Sequence, residues 1–238
     1  MSTQPYLSVV PAYGAPPRKK PHNTNRGRKF PPEPLTTEDF AKLLAACVPL
    51  RSGREHELSA LRLRALLVIL YRTGIRIAEA LDLYEHDLND ADRAIVIRHG
   101  KGDRRRVVLV DEWGWREIQF WMRVREEIPP GAVIPVIRGD TAGGPMNAPD
   151  VRRQMTKLRQ RAGVRRRVHP HGFRHSFAVE ASREGISLYS LQGQLGHARL
   201  DVTQRYLVGI DPMERLAPFA QRRAPVTTIP NIADHKPV

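Results

Sequence analysis

The sequence predicts a mostly α-helical domain carrying one small antiparallel β-sheet, an α+β class. Apolar residues recur at helical spacing over most of the chain beyond residue 35. A single pair of β-branched runs flanks a glycine-rich turn. Helix-stop and helix-start residues (Thr36, Gly74, Gly196) punctuate the pattern at intervals suited to short helices. With 238 residues, 41% of them hydrophobic, the chain has room for one well-packed domain plus tails, or for two small domains.

Residues 1–32 contain no acidic residue and are rich in proline, and Arg18, Lys19, Lys20, Arg26, Arg28 and Lys29 form a basic cluster. Such a stretch buries too little apolar area to offset its ordering entropy, so residues 1–34 are expected to be a disordered basic tail. Ordered structure is expected from LTTEDFAKLLAACV (35–48), where Thr36 and Asp39 suggest a capping box. Phe40, Leu43, Leu44 and Cys47 mark its apolar face. Leu58 to Thr73 reads as a buried helix, apolar on most sides and stopped by Gly74; a short helix then carries Arg76 to Leu81. AIVIR (94–98) and RVVLV (106–110) form a hairpin around HGKGD (99–103). Asp111 to Glu127 returns to helix, with Trp113, Trp115, Ile118, Phe120 and Trp121 available for packing. Residues 129–149 are loop-rich, with an edge strand expected over Val133 to Ile137. Four helices follow, at about 149–162, 171–184, 187–195 and 200–207, with Asp201 as the cap of the last. Met213, Leu216 and Phe219 fall on one helical face of a C-terminal segment, 211–238.

The charge balance, 39 Lys+Arg against 25 Asp+Glu, gives a formal +14, and nucleic acid is the default partner for a surface that basic. The longest fully apolar run, Ala65 to Tyr71, is too short to span a bilayer, and the N-terminus does not read as a signal peptide. Cys47 is the only cysteine, which excludes an internal disulfide and marks it as a buried core residue. A cytoplasmic, nucleoid-associated protein is expected.

Arg76, Lys101, His171, Arg174, His197 and Tyr206 supply a nucleophile, two guanidinium groups and groups able to move protons. Phosphodiester chemistry without a metal needs that inventory. Taken singly, each has a blander reading. Arg76 in TGIRIAEALDL (73–83) reads as a surface arginine, and Lys101 as part of an ordinary solvated turn. In HPHGFRHSFA (169–178), His171 and Arg174 share a helix face. His171 and His175, with His169 nearby, suggest a metal site, but the string lacks the glutamate of a zinc-protease helix and Arg174 would repel a cation. Tyr206 in LQGQLGHARLDVTQRY (191–206) is one of six tyrosines. Arg152, Arg153, Lys157, Arg159, Arg161, Arg165, Arg166 and Arg167 exceed what solubility needs, and each is either a phosphate-backbone contact or a solvated charge.

Together these strings resemble the tyrosine recombinase (phage integrase) family over roughly 36–210. TGIRIAE is similar to the family's first arginine box, GKG to its lysine turn, HGFR to its H-x-x-R box, and LGH with TQRY to its closing L-G-H and T-x-x-Y boxes. The resemblance implies a catalytic domain at 35–210 in which Arg76 and Arg174 clamp the scissile phosphate, with Glu79 supporting. It further implies that Lys101 is the general acid, His171 the base, His197 a phosphate hydrogen-bond donor and Tyr206 the nucleophile. No metal or cofactor is implied. The expected partners are double-stranded DNA and a homotetramer on paired sites; accessory DNA-bending proteins are allowed for, and the C-terminal segment docks either on its own domain or in trans.

Among the hairpin arginines, Arg104 and Arg105 are assigned to DNA with Arg152, Arg153 and Lys157, while Arg106 is read as backbone-contacting or solvated, not catalytic. Two departures stand out. A compact member without the family's usual core-binding domain is expected, since residues 1–34 are too few for one, and Gly193 is expected to weaken the helix that delivers His197. The competing functions are a type IB topoisomerase-like relaxation activity and an inactive DNA-binding remnant.

Overall fold

Thr36 and Asp39 form the capping box that starts α1 (Thr37–Ala45): the Asp39 amide donates to Thr36 Oγ1 at 3.1 Å, and the Thr36 amide to Asp39 at 3.4 Å. The computed structural model describes residues 34–98 and 105–204, all within one folded unit. The basic cluster of 18–29, Lys101, Arg104, Tyr206 and the segment 211–238 lie outside the described residues.

The core is built around α2 (Arg54–Thr73), on which Leu67, Val68, Ile69 and Leu70 are all fully buried. Burying such side chains contributes roughly 1.5–3 kcal/mol each, which outweighs the weak amphipathicity of the segment. The helix starts a turn earlier than its apolar pattern suggests, because Arg54 pairs with Glu57 in that first turn and also with Glu127. It ends at Gly74, left-handed at φ 65°. A Cβ there would stand 2.5 Å from Phe177 and 2.8 Å from Leu195, so only glycine lets these neighbours close on the helix end. The short α3 (Ile77–Leu81) follows directly.

The predicted hairpin is present as β2 (Ala94–Ile97) and β3 (Arg106–Leu109), paired antiparallel with Ile97 opposite Arg106 and Ala94 opposite Leu109. A third strand, β1 (Leu88–Asn89), pairs antiparallel with β2, giving the order β1-β2-β3. Its two residues are too few to show a period of two in the sequence. Next, α4 (Glu112–Val124) is capped by Asp111, which accepts from the Gly114 amide at 3.1 Å. It buries Trp115, Ile118 and Trp121 at helical spacing, whereas Trp113 and Phe120 remain 43% and 45% exposed.

The edge strand expected over Val133 to Ile137 does not form. Pro135 lacks an N–H, and the run divides its bonds: the Val133 amide donates to Leu83 O, Val133 O accepts from the Trp121 indole and Pro135 O from Arg62, while Ile134 O and the Val136 amide bond Met146 and Gly144. Isolated bridges are all that remain.

Helix α5 (Ala148–Arg161), capped by Asn147, buries Val151, Met155 and Leu158. Helix α6 (Pro170–Arg183) packs on α2, with Phe173 buried edge-on to Phe40 and Tyr71. Ala178 and Ala181 of α6 form a second small cluster with Leu191 and Leu195 of α7 (Leu188–Leu195), against which half-buried Phe177 packs. After α7 comes α8 (Leu200–Gln204). Asp201 lies inside its first turn, paired with Arg199, and is not its cap. Cys47 is buried but sits past the end of α1, its thiol donating to Leu43 O at 3.3 Å. Among the described residues no helix is long and apolar enough to cross a membrane.

Candidate active site

Three helix boundaries meet at one place: the Gly74 turn after α2, the start of α6, and the Gly196 turn after α7. Arg174, on α6 and 3% exposed, ties them together. Its Nη1 donates to Gly74 O at 2.7 Å and its Nη2 to Leu195 O at 2.6 Å. A buried guanidinium is expensive unless its donors are satisfied, and two helix-terminal carbonyls are well suited to that task.

The same Nη2 lies 2.7 Å from His197 Nε2. A guanidinium cannot accept, so Nε2 must, and the proton of neutral His197 sits on Nδ1, 2.9 Å from Thr203 Oγ1. Desolvation, then the charges of Arg174, Arg76, Arg106 and His171, push the pKa of His197 down to about 3. In this arrangement Nε2 is an acceptor turned to Arg174. Donating to a phosphate requires the other tautomer.

Arg76 follows the Gly74 turn and leads into α3, whose carboxylate Glu79 reaches back to it. Glu79 accepts from the Arg76 amide at 2.8 Å and from Arg76 Nη1 at 2.7 Å. It also accepts two bonds from Arg106, Nη1 at 3.0 Å and Nη2 at 2.7 Å. Burial opposes ionisation of Glu79, but Arg106 and Arg76 outweigh it and hold its pKa below the usual carboxylate range.

His171 is on the exposed side of α6, beside a cleft of about 330 Å³ that it lines with Ile77, Arg152, Arg167, His169 and Pro170. Partial desolvation, then the positive fields of His169, Arg174, His175 and Arg76, keep its pKa below the ordinary value. The histidine cluster is divided among different tasks. His169 caps α6, its Nδ1 accepting from the Gly172 amide at 2.8 Å, and His175 is buried in the core. Among the described residues no group of three or more His, Cys, Asp or Glu side chains is gathered to hold a metal ion.

Arg76, Glu79, His171, Arg174 and His197 are thus drawn to one region, while Lys101 and Tyr206 fall outside the described residues. The basic helix α5 divides its charges: Arg152 faces the His171 cleft, whereas Lys157 and Arg161 line a separate pocket with Val48 and Leu50. Arg153 projects outward and pairs with Asp150, and Arg105 is exposed. Arg166 keeps part of its side chain exposed and also bonds Asp39 at the start of α1, at 2.7 Å.

Two site residues escaped sequence reasoning. The sequence reads Arg106 as backbone-contacting or solvated, yet its side chain is 12% exposed and locked to Glu79. The period of two in β3 carried the signal, since Arg106 shares a face with buried Val108 and Val110. Thr203, fully buried, is the partner of His197, and no local pattern announces that pairing.

The model of the Phage integrase family matches residues 33–209 of this chain. Tyrosine recombinase XerC of Brucella suis biovar 1 (strain 1330) is 34% identical over 209 residues, which cover 87% of this chain and 63% of XerC. Among solved structures, XerA recombinase superposes with a TM-score of 0.65 at 25% identity, covering 81% of this chain and 66% of XerA. XerH site-specific recombinase bound to difH substrate, in its pre-cleavage complex, gives 0.62 at 27% identity, covering 80% of this chain and 54% of XerH. The chain therefore spans less than two thirds of these relatives' lengths.

Proposed function

The chain belongs to the phage integrase family of tyrosine recombinases, and from that we propose that it cuts and rejoins double-stranded DNA at specific sites through a 3′-phosphotyrosyl intermediate. Tyr206 Oη attacks the scissile phosphorus and the bond to the 5′ oxygen breaks. The phenolic proton passes to His171, and the leaving 5′ oxygen takes a proton from Lys101. Arg76 and Arg174 neutralise the non-bridging oxygens as charge builds. The 5′ hydroxyl of a partner strand reverses these steps, so the phosphodiester energy is conserved without ATP, metal or cofactor.

The observation that carries this reading is Arg174, held by Gly74 O and Leu195 O beside His197, with Arg76 only two residues past that same glycine. Two cations and a neutral histidine around one turn suit a phosphate diester better than any small neutral substrate. His171, its pKa lowered, is neutral at pH 7 and able to accept a proton. Recombination by a homotetramer on paired sites, with accessory DNA-bending proteins, in the cytoplasm at the nucleoid, follows from the same family reading. Integration, excision and inversion share this chemistry.

The test is covalent capture from a pool of nicked random-sequence duplexes, followed by a two-site recombination assay with the captured sequence in excess chelator. Strand exchange between two sites is the expected result. Relaxation of supercoiled plasmid without exchange would favour a topoisomerase-like activity, and no adduct at all would leave a DNA-binding remnant.

A further inference from the structure

We infer that Arg106 is a positioning residue of the phosphate clamp: it keeps Arg76 available to the scissile phosphate by sharing Glu79, and it fixes the turn that presents His197. The inference rests on the reading of Arg76 as a clamp residue.

A carboxylate beside a lone arginine forms a neutral pair, and a neutral pair attracts a phosphate weakly. Glu79 is instead bound by two guanidinium groups. Arg106 takes both its oxygens in parallel bonds of 3.0 and 2.7 Å, and Arg76 adds one bond of 2.7 Å from Nη1. One negative charge set against two positive ones leaves the group net cationic. Of the two, Arg106 is the buried partner, with 12% of its side chain exposed, while Arg76 keeps 30%. The remaining positive charge is therefore presented on Arg76, at the surface that a DNA backbone would reach.

Arg106 also reaches the other half of the site. Its Nε donates to Gln194 O at 3.3 Å, and the α-carbon of Gly196 packs against its guanidinium: a Cβ at Gly196 would lie 2.8 Å from Arg106 Cζ and Nε. Gly196 is left-handed at φ 64°, so the glycine preceding His197 answers two demands at once, a helix stop and room for Arg106. A second link closes the same joint. The Gln194 side chain accepts from the Leu109 amide at 3.1 Å and donates to Leu109 O at 2.8 Å, capping the outer edge of β3. Strand β3, the clamp at Glu79 and the His197 turn are thereby held as one body, with Arg106 at the junction.

The experiment measures single-turnover cleavage of the captured duplex, as the ordinary phosphodiester and with a neutral methylphosphonate at the scissile position. Arg106→Gln should cleave the phosphodiester about 10- to 100-fold more slowly with little change in DNA affinity. It should recover to within about 3-fold of wild type on the methylphosphonate, which has less charge to neutralise. Arg76→Ala should behave in the same way, and that arm tests the clamp reading itself. A merely structural defect would slow both substrates alike. Arg106→Lys keeps the charge and loses the parallel bonds; it guards against misfolding of the Gln variant and should show an intermediate loss with the same rescue.

Rescue of Arg76→Ala without rescue of the folded Arg106 variants would overturn the inference and leave the clamp reading standing. Wild-type cleavage of the phosphodiester by either Arg106 variant would overturn it as well. No rescue of Arg76→Ala, or no DNA captured by the wild type, would overturn the reading and the inference together.

Discussion

Arg174 Nη2 and His197 Nε2 stand 2.7 Å apart, and because arginine only donates, the pair exists only while His197 is neutral. The consequence is a pH-dependent stability. Unfolded, His197 titrates at its ordinary 6.5; folded, it titrates at about 3. Between these values the unfolded chain binds a proton that the folded chain does not, so stability is complete above pH 6.5 and falls as pH falls through the window. The slope from this group reaches at most about 1.4 kcal/mol per pH unit. His169 and His171 are shifted in the same direction and add to it. Urea unfolding between pH 6.5 and 5, above the range where the carboxylates titrate, should show a shallower dependence in His197→Gln than in wild type. Equal slopes would mean that His197 is protonated in the folded protein.

Two glycines three residues apart should respond oppositely to alanine. At Gly193, inside α7, a Cβ would meet nothing within 4 Å, so nothing in the structure requires glycine there. Gly193→Ala should stabilise the protein by about 0.5–1 kcal/mol through helix propensity. Gly196→Ala must accept both a left-handed backbone and a contact with Arg106, and should destabilise by about 1 kcal/mol or more. Chemical denaturation of the two variants measures both. Destabilisation by Gly193→Ala would show that α7 needs its flexibility to fold.

Much of this was readable in the sequence because its signals are local. The Thr36–Asp39 box, the Gly74 and Gly196 stops and the paired runs of β2 and β3 each specify their element through neighbours a few residues away. The failures required information from a distance. Pro135 interrupts a β-branched run, and Val133 bonds Leu83 and Trp121 instead of a strand, so that only isolated bridges form. The site was legible in part: five of its residues sit in recognisable strings, and the structure gathers them. Arg106 was lost in a run of three arginines, where composition says surface and only strand phase says core. Arg166, likewise hidden in a basic run, proved to be a strut to Asp39.

The division of charge on α5 predicts which cations meet DNA. Arg152 shares the cleft of His171 and Arg167, whereas Lys157 lies across the helix beside Val48 and Leu50. Arg152→Ala should weaken binding to all duplexes and reduce the log–log salt slope by about 1. Lys157→Ala should leave the slope unchanged. Equal losses would place DNA on both flanks of the helix.

The central claim is that Tyr206 forms the covalent bond to DNA, and one substitution tests it directly. Tyr206→Phe removes a single oxygen and keeps the ring, so folding and DNA binding should survive. The measurement is the yield of denaturant-stable protein–DNA adduct on a nicked suicide duplex bearing the captured sequence, compared between wild type and variant. The account predicts an adduct with the wild type and none with Tyr206→Phe at equal DNA occupancy. An adduct that persists in the Phe variant would assign the nucleophile to another residue and contradict the mechanism.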